Sequence, residues 1–470
     1  MGNNDRRTEK DIVGSMNIPA ESLSGIHTGR AVENFGLAGG AVNERLLRAY
    51  GLVKLACLQA NRELGYLEGE KAAAIEQACI ELSEGKIEVD VELAGLQGGA
   101  GTSTNMYVNE VVANRALAIL GHKPGEYDVV SPLGDVNMHQ STNDTYPTAL
   151  RVASMFAFAE LEQAVSELAD EFQKKEKEFA GIVKLGRTQL QDAVPMTLGQ
   201  EMGAYAEAFS KDRWRIYKCT ERLRVVNLGG TAIGTGLGAP QKYIFLAAEK
   251  LRQITNLPLA RAENLVQGTQ NCDEFVEVSG ILKTMAANLF KVSSDLRLLS
   301  SGPQAGLAEV KLPERQAGSS IMPGKINPVI AELAGMVAIQ AVSRDSAITM
   351  AAMSGQMELN AFMPLIAYNL LAMLDEMIVA TDKLAKLLVA DLKADKEKCE
   401  ENVHSSTAVV TVFANVIGYD KASEIAKQAV SENKSIKELL LEKKICTEEE
   451  YEYRTSPEAI LSLGFRDKRK

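Results

Sequence analysis

Apolar residues recur every three or four positions over long stretches of this chain, which is the spacing of one helix face. Between 41 and 84, Leu46, Leu47, Tyr50, Leu55 and Leu58 keep that spacing, and the pattern predicts two helices joined near Gly65 and Gly69. A helix over about 106–120 closes at Gly121, since glycine is the common residue just past a helix end. Five longer helices are predicted over 145–179, 197–226, 262–299, 327–352 and 361–390. Pro147 falls in the first turn of the first of these, where a missing N–H is tolerated. In the last, Phe362, Leu365, Ile366, Leu370, Met373, Met377, Leu384 and Leu388 form one stripe. Helices of these lengths span roughly 40–55 Å, and side by side they make an elongated bundle. The fold class read from this pattern is all-α, mainly helical, with the leucines and methionines of the stripes as core. Residues 1–40 are mixed in character and are expected to be irregular, whereas the composition turns charged from Lys393 onward. Three domains are expected: a mostly helical one over 1–141, a central long-helix bundle over 142–396 and a small helical one over 397–470.

Composition adds limits. A chain of 470 residues exceeds what one hydrophobic core normally supports. An apolar content of 46% with only 5% aromatics, and many Ala, Leu, Glu and Lys, agrees with helix. The net charge of −11 argues against nucleic acid and anionic membranes as partners. It also means that binding a dianion requires positive charge concentrated locally. The six cysteines are scattered, with no C-x-x-C pair, which fits reduced thiols in a cytoplasm. The polar first residues, 1–7, have no apolar h-region, and no uninterrupted apolar run approaches 18 residues. A cytoplasmic protein without a membrane span is therefore expected. The four histidines (His27, His122, His139, His404) form no i, i+4 or H-x-x-H pair, so no metal site is expected.

Candidate chemistry sits where the helical pattern breaks. Residues 317–328, Ala-Gly-Ser-Ser-Ile-Met-Pro-Gly-Lys-Ile-Asn-Pro, cannot be a helix interior or a regular strand. The stretch is a polar loop with two hydroxyls, one ammonium and one amide, a set suited to gripping an anion. It is not a phosphate-cradling P-loop: five residues separate Gly318 from Gly324, and Ile326 follows the lysine. Three further polar clusters lie at 98–105, 140–144 and 186–192, each at the edge of a predicted helix. Any one of them alone reads as a helix cap. The four together ask for another explanation.

The loop 317–328 resembles the signature of the aspartase/fumarase superfamily, whose members eliminate across the Cα–Cβ bond of a succinyl group and release fumarate. Gln140-Ser141-Thr142-Asn143-Asp144-Thr145 resembles the second motif of that family, and the ten residues from Gly186 to Pro195 resemble its third. The segment from His27 to Phe35 is similar to its N-terminal stretch, and the likeness runs from about His27 to the last helix. The resemblance implies a carbanion formed beside a carboxylate and held as an enediolate, for which preorganised donors are the largest catalytic aid. By the same resemblance Thr102, Ser141, Thr142 and Ser320 hold the developing dianion. Lys325 and Asn327 hold the α-carboxylate, and Asn143, Thr188 and Gln189 contact the leaving group. Ser319 is the implied general base; the alternative is that Ser319 only hydrogen-bonds and another group takes the proton. No cofactor is implied, and a divalent cation such as Mg2+ enters only as an activator. The family also implies a homotetramer whose helices pool in a central bundle and whose active sites are each shared by three subunits.

Within the superfamily, fumarases carry a histidine directly after the threonine of the third motif. Here that place is Gln189, and the text through Asp192 fits the branch that eliminates ammonia from L-aspartate. The implied activity is that of a carbon–nitrogen lyase acting reversibly between L-aspartate and fumarate plus ammonia. Glu332, in the place of the fumarase histidine's carboxylate partner, is expected to be structural without that histidine. Fumarate hydration is the alternative reaction, and a silent structural relative such as a lens crystallin is the alternative of another class. Lyases with large leaving groups fit the motifs less well.

Overall fold

The structure, a computed structural model, describes residues 5–88 and 91–464. The first four residues of the polar start, Val89 and Asp90, and the last six residues of the expected C-terminal domain lie outside the described residues.

The N-terminal region departs from the expectation of irregular chain. An antiparallel hairpin, β1 (Arg6–Lys10) and β2 (Ser15–Pro19), pairs Arg6 with Pro19 and Lys10 with Ser15. Helix α1 (Ile26–Phe35) follows. Each strand buries one residue, Glu9 or Ile18, too little for an alternating pattern to show. The Arg7 guanidinium holds the hairpin to the next segment, donating to the carbonyls of Pro19, Ala20, Ser22 and Ser24.

Helices α2 (Glu44–Glu63), α3 (Gly69–Ser83) and α4 (Thr102–Ile119) then form where the apolar spacing predicts. α2 packs closely on α3 at Gly51, where a Cβ would lie 2.7 Å from the Ser83 nitrogen and 2.9 Å from the Cys79 oxygen. Helix α5 (Thr142–Glu178) runs 37 residues, about 55 Å. It begins three residues earlier than the spacing suggests, so Pro147 is inside the helix and not in its first turn. A proline there removes the N–H that the Asn143 carbonyl would accept. The amide of Asn227 replaces it, donating to the Asn143 oxygen at 3.0 Å.

A hairpin follows, β3 (Val183–Thr188) and β4 (Gln191–Thr197), and then α6 (Leu198–Leu223), α7 (Gln241–Thr255) and α8 (Leu265–Gln270). The expected helix over 262–299 is split: α8 ends at Asn271, whose backbone is extended, and α9 (Asp273–Leu299) restarts beyond it. Helices α10 (Val329–Met353) and α11 (Met363–Leu384) complete the long set. Beyond α12 (Lys396–Ser405) come a 3-10 segment, Thr407–Phe413, and short helices as far as Leu461. The stretch Met363–Val389 has a mean hydropathy of 1.4 over its most apolar window, enough by composition to cross a membrane. It is also largely buried, and its Asp375 and Glu376 pair with Arg45 and Arg344.

Two compact units can be distinguished. One comprises 1–162, 215–284 and 340–377, the other 163–214, 285–339 and 378–470. The core of the second includes Leu185 of β3 packed with Val409, Phe413, Ile425, Leu439, Leu440 and Tyr451.

Candidate active site

The first unit holds the polar cluster at 98–105 and the second motif. Gly101, with φ 94°, turns the chain into α4, and Thr102 is its first residue, exposed, with its hydroxyl donating to the Gly99 carbonyl at 2.8 Å. The second motif opens α5. The Asn143 nitrogen donates to Ser141 Oγ at 3.2 Å, and Thr142 is buried. Asn143 Nδ2 donates to the Ala232 carbonyl at 2.7 Å. Asp144 is fully buried and fastens this turn: its carboxylate accepts from the nitrogens of Ser141 (3.0 Å), Gly229 (3.1 Å) and Thr231 (3.0 Å). Burial pushes its carboxyl up to about 6 against the pull of those three N–H groups.

Beneath both segments lies Lys54 of α2, 1% exposed. Its Nζ donates to Asn105 Oδ1 (2.8 Å), Asn137 Oδ1 (3.0 Å) and Gln140 Oε1 (2.8 Å). Burial brings the ammonium down to about 8. Its trace in the sequence is a lone charge inside the apolar run Val53-Lys54-Leu55-Ala56-Cys57-Leu58, with nothing nearby to mark its partners.

The second unit holds the signature loop and the third motif. The third motif lies at the tip of the β3–β4 hairpin and not, as expected, at a helix edge. Thr188 pairs with Gln191 across a two-residue turn of Gln189 (φ 53°) and Leu190 (φ 61°). Such turns normally take Asn or Gly, and a left-handed conformation costs other residues roughly 1–2 kcal/mol each. The tip therefore stores strain, as functional turns often do. Below it an ionic cluster anchors the strand. The fully buried Glu309 carboxylate meets Lys184 at 3.0 Å and Arg187 at 2.8 Å, and Lys184 also donates to Glu201 at 2.8 Å. Asn402 of α12 donates to Glu309 Oε1 at 3.1 Å, and Ser406 donates to Asp192 at 2.7 Å. None of these ties was read from the sequence, because the partners lie up to 214 positions apart.

The signature loop closes on itself. The Gly318 nitrogen donates to the Lys325 carbonyl at 2.8 Å, and Asn327 Nδ2 donates to the Gly318 carbonyl at 2.7 Å. A Cβ on Gly318 would lie 2.6 Å from the Lys325 oxygen, so any side chain there would force the loop open. Within the loop, the backbone nitrogens of Ile321 and Met322 donate to Ser319 Oγ at 3.2 and 3.0 Å. Ser320 and Lys325 are exposed, and Ser319 and Asn327 are half-buried. Glu332, in the first turn of α10, lies 3.9 Å from Arg297. Among the described residues no group of three His, Cys, Asp or Glu side chains is placed to hold a metal ion.

Long helices interrupted by these polar segments define a class of helical lyase. The lyase family pattern matches residues 14–343, and the fumarase C C-terminus pattern matches 409–462. The chain belongs to the aspartase/fumarase superfamily of lyases. It is 46% identical over 445 residues to an aspartate ammonia-lyase of Pseudomonas aeruginosa, which covers 94% of each chain. Among solved structures it is similar to a fumarate lyase:delta crystallin of Brucella melitensis, with TM-score 0.92 and 44% identity over 96% of this chain and 99% of that one. It is also similar to a class II fumarase of Schistosoma mansoni, with TM-score 0.90 and 32% identity over 98% of this chain and 100% of that one.

Proposed function

We propose that the protein is a carbon–nitrogen lyase that converts L-aspartate reversibly to fumarate and ammonia. The observation that carries this reading is Gln189 directly after Thr188 at the strained hairpin tip, where the fumarase branch has its histidine. An amide oxygen can accept from an ammonium but cannot relay protons to water. The higher identity to an aspartate ammonia-lyase than to a fumarase supports the same choice.

In the proposed reaction Ser319 takes a proton from the carbon beside the β-carboxylate, leaving an enediolate. Thr102, Ser141, Thr142 and Ser320 donate to its two oxygens, each such donor being worth about 2.7–4 kcal/mol by analogy with oxyanion holes. Lys325 and Asn327 hold the α-carboxylate and supply positive charge that the acidic chain otherwise lacks. The C–N bond then breaks, its electron pair leaves with the nitrogen, and Asn143, Thr188 and Gln189 receive the amine. The proposed steps use only these side chains and call on no cofactor, and a divalent cation such as Mg2+ would act only as an activator. A reducing cytoplasm suits the six buried, unpaired thiols. The test is direct: absorbance at the fumarate band should rise on adding L-aspartate and stay near baseline on adding L-malate. Malate turnover equal to that of aspartate would make the protein a fumarase.

The assembly belongs to the same proposal. Helix α10 exposes Met336, Val342, Met350 and Met353 along one side, and Phe290 and Leu298 of α9 and Val379 of α11 are exposed as well. Apolar stripes of this kind are buried by association, and a D2 homotetramer is a natural closed solution. In it each active site draws on three subunits, with the signature loop of one beside the second and third motifs of others. Ser319→Ala and Thr188→Ala proteins, each inactive, are dissociated, mixed and reassembled. If the two residues come from different chains, random mixing restores about one site in four, and activity returns to roughly a quarter of native. No recovery in verified mixed tetramers would place both residues in one chain.

A further inference from the structure

We infer that Lys54 is a positioning residue that ties the two dianion-binding segments of the first unit into one rigid donor set. The inference rests on the proposed reaction. Lys54 itself bonds only to protein oxygens, so it acts through its neighbours.

The geometry is that of a hub. Asn105 lies one turn beyond Thr102 on α4, and Gln140 directly precedes Ser141. Asn137 sits between them in space: its Oδ1 accepts from Lys54 (3.0 Å), from Asn105 Nδ2 (3.1 Å) and from Asn109 Nδ2 (3.1 Å), and its Nδ2 donates to the Gln140 carbonyl at 3.2 Å. The Gln140 amide nitrogen is used in turn, donating to the carbonyls of Val136 (3.0 Å) and Met138 (3.2 Å). Thr145 Oγ1 adds a contact from α5 to Asn105 Oδ1 at 3.3 Å. With their NH2 groups committed elsewhere, three amide oxygens are left to converge on one point. An ammonium, with three donors and no acceptor, is the side chain that satisfies all three. The other groups around it are Asp144 on α5, Cys57 and the Tyr50 ring on α2, and Cys79 on α3.

A fully connected buried network of this kind specifies one arrangement, here of segments 51 and 86 positions away from Lys54. A hydrophobic residue would have filled the volume without fixing the amides. The function of the charge is thus to hold Thr102 and the Ser141–Thr142 turn in register before substrate arrives, which affects the transition state more than the ground state.

The test uses the full-length protein and the variant Lys54→Met, similar in length but without donors. The expected result is a fall in kcat of about 10–100-fold, the scale of losing a residue that orients others and smaller than the roughly 10²–10³-fold of losing a donor itself, with succinate inhibition changed by less than about threefold. Amide hydrogen exchange should quicken together in segments 100–106 and 137–146, and not across the other helices. Should Lys54→Met fail to fold, Gln140→Leu removes one spoke and leaves Lys54 two acceptors. It should lower kcat by about tenfold or more and quicken exchange at 137–146. Native kcat in a folded variant, or exchange quickened everywhere alike, would overturn the inference. The exchange measurement needs no turnover, so absence of aspartate lyase activity in the native protein would refute the proposed function and leave this tie separately tested.

Discussion

Ser319→Ala protein is expected to bind succinate with modest loss and to fail at exchanging the Cβ proton of aspartate with solvent. A hydroxyl is a very weak acid, so its alkoxide needs local stabilisation. The loop supplies part of it, since two backbone N–H groups, those of Ile321 and Met322, already point at Ser319 Oγ. Gly318, which admits no side chain, and Gly324, at φ 79°, let the chain fold tightly enough to present them. Lys325 in the same loop adds positive charge. Removing a positioned base costs about 10²–10⁴-fold, and alanine keeps the turn's backbone free to form. Solvent exchange isolates proton removal from departure of the amine, so it reports the step assigned to Ser319. Exchange at the native rate in Ser319→Ala would assign the base elsewhere.

Glu309→Ala is expected to destabilise the protein by about 3–5 kcal/mol, measured by urea unfolding, because it strands buried positive charge. Lys184 keeps Glu201 as a partner, but Arg187 loses its carboxylate and Asn402 loses its acceptor. The cluster joins β3 to α12, and β3 leads to the tip where Thr188 and Gln189 sit. Activity should therefore fall in the folded fraction also, with Thr188 and Gln189 no longer held. A loss below about 1 kcal/mol, the range of an exposed pair, would show that the cluster does not anchor the hairpin.

Helical periodicity is a local property, so the long helices were legible: 145–179 became Thr142–Glu178, and 327–352 became Val329–Met353. The polar segments that interrupt them were legible for the same reason, since composition alone excludes regular structure at 317–328. What escaped was decided between distant residues. The third motif reads like a helix edge but forms a hairpin, because β3 has a partner seven residues long in β4 and packs Leu185 into the C-terminal helices. The run over 262–299 reads as one helix, yet the extended backbone at Asn271 divides it. Pro147 could enter a helix interior only because Asn227, 80 positions along by number, replaces the missing donor. Asp144 and Glu309 look unremarkable in the chain, and each becomes informative only with its partners around it; Lys54 shows as a lone charge in an apolar run, but its three acceptors do not. Spacing along one segment thus set the helices and marked the chemistry. Burial set the rest: a charge in a low-dielectric interior must find its hydrogen bonds wherever the fold brings them, and that is information a linear sequence does not carry locally.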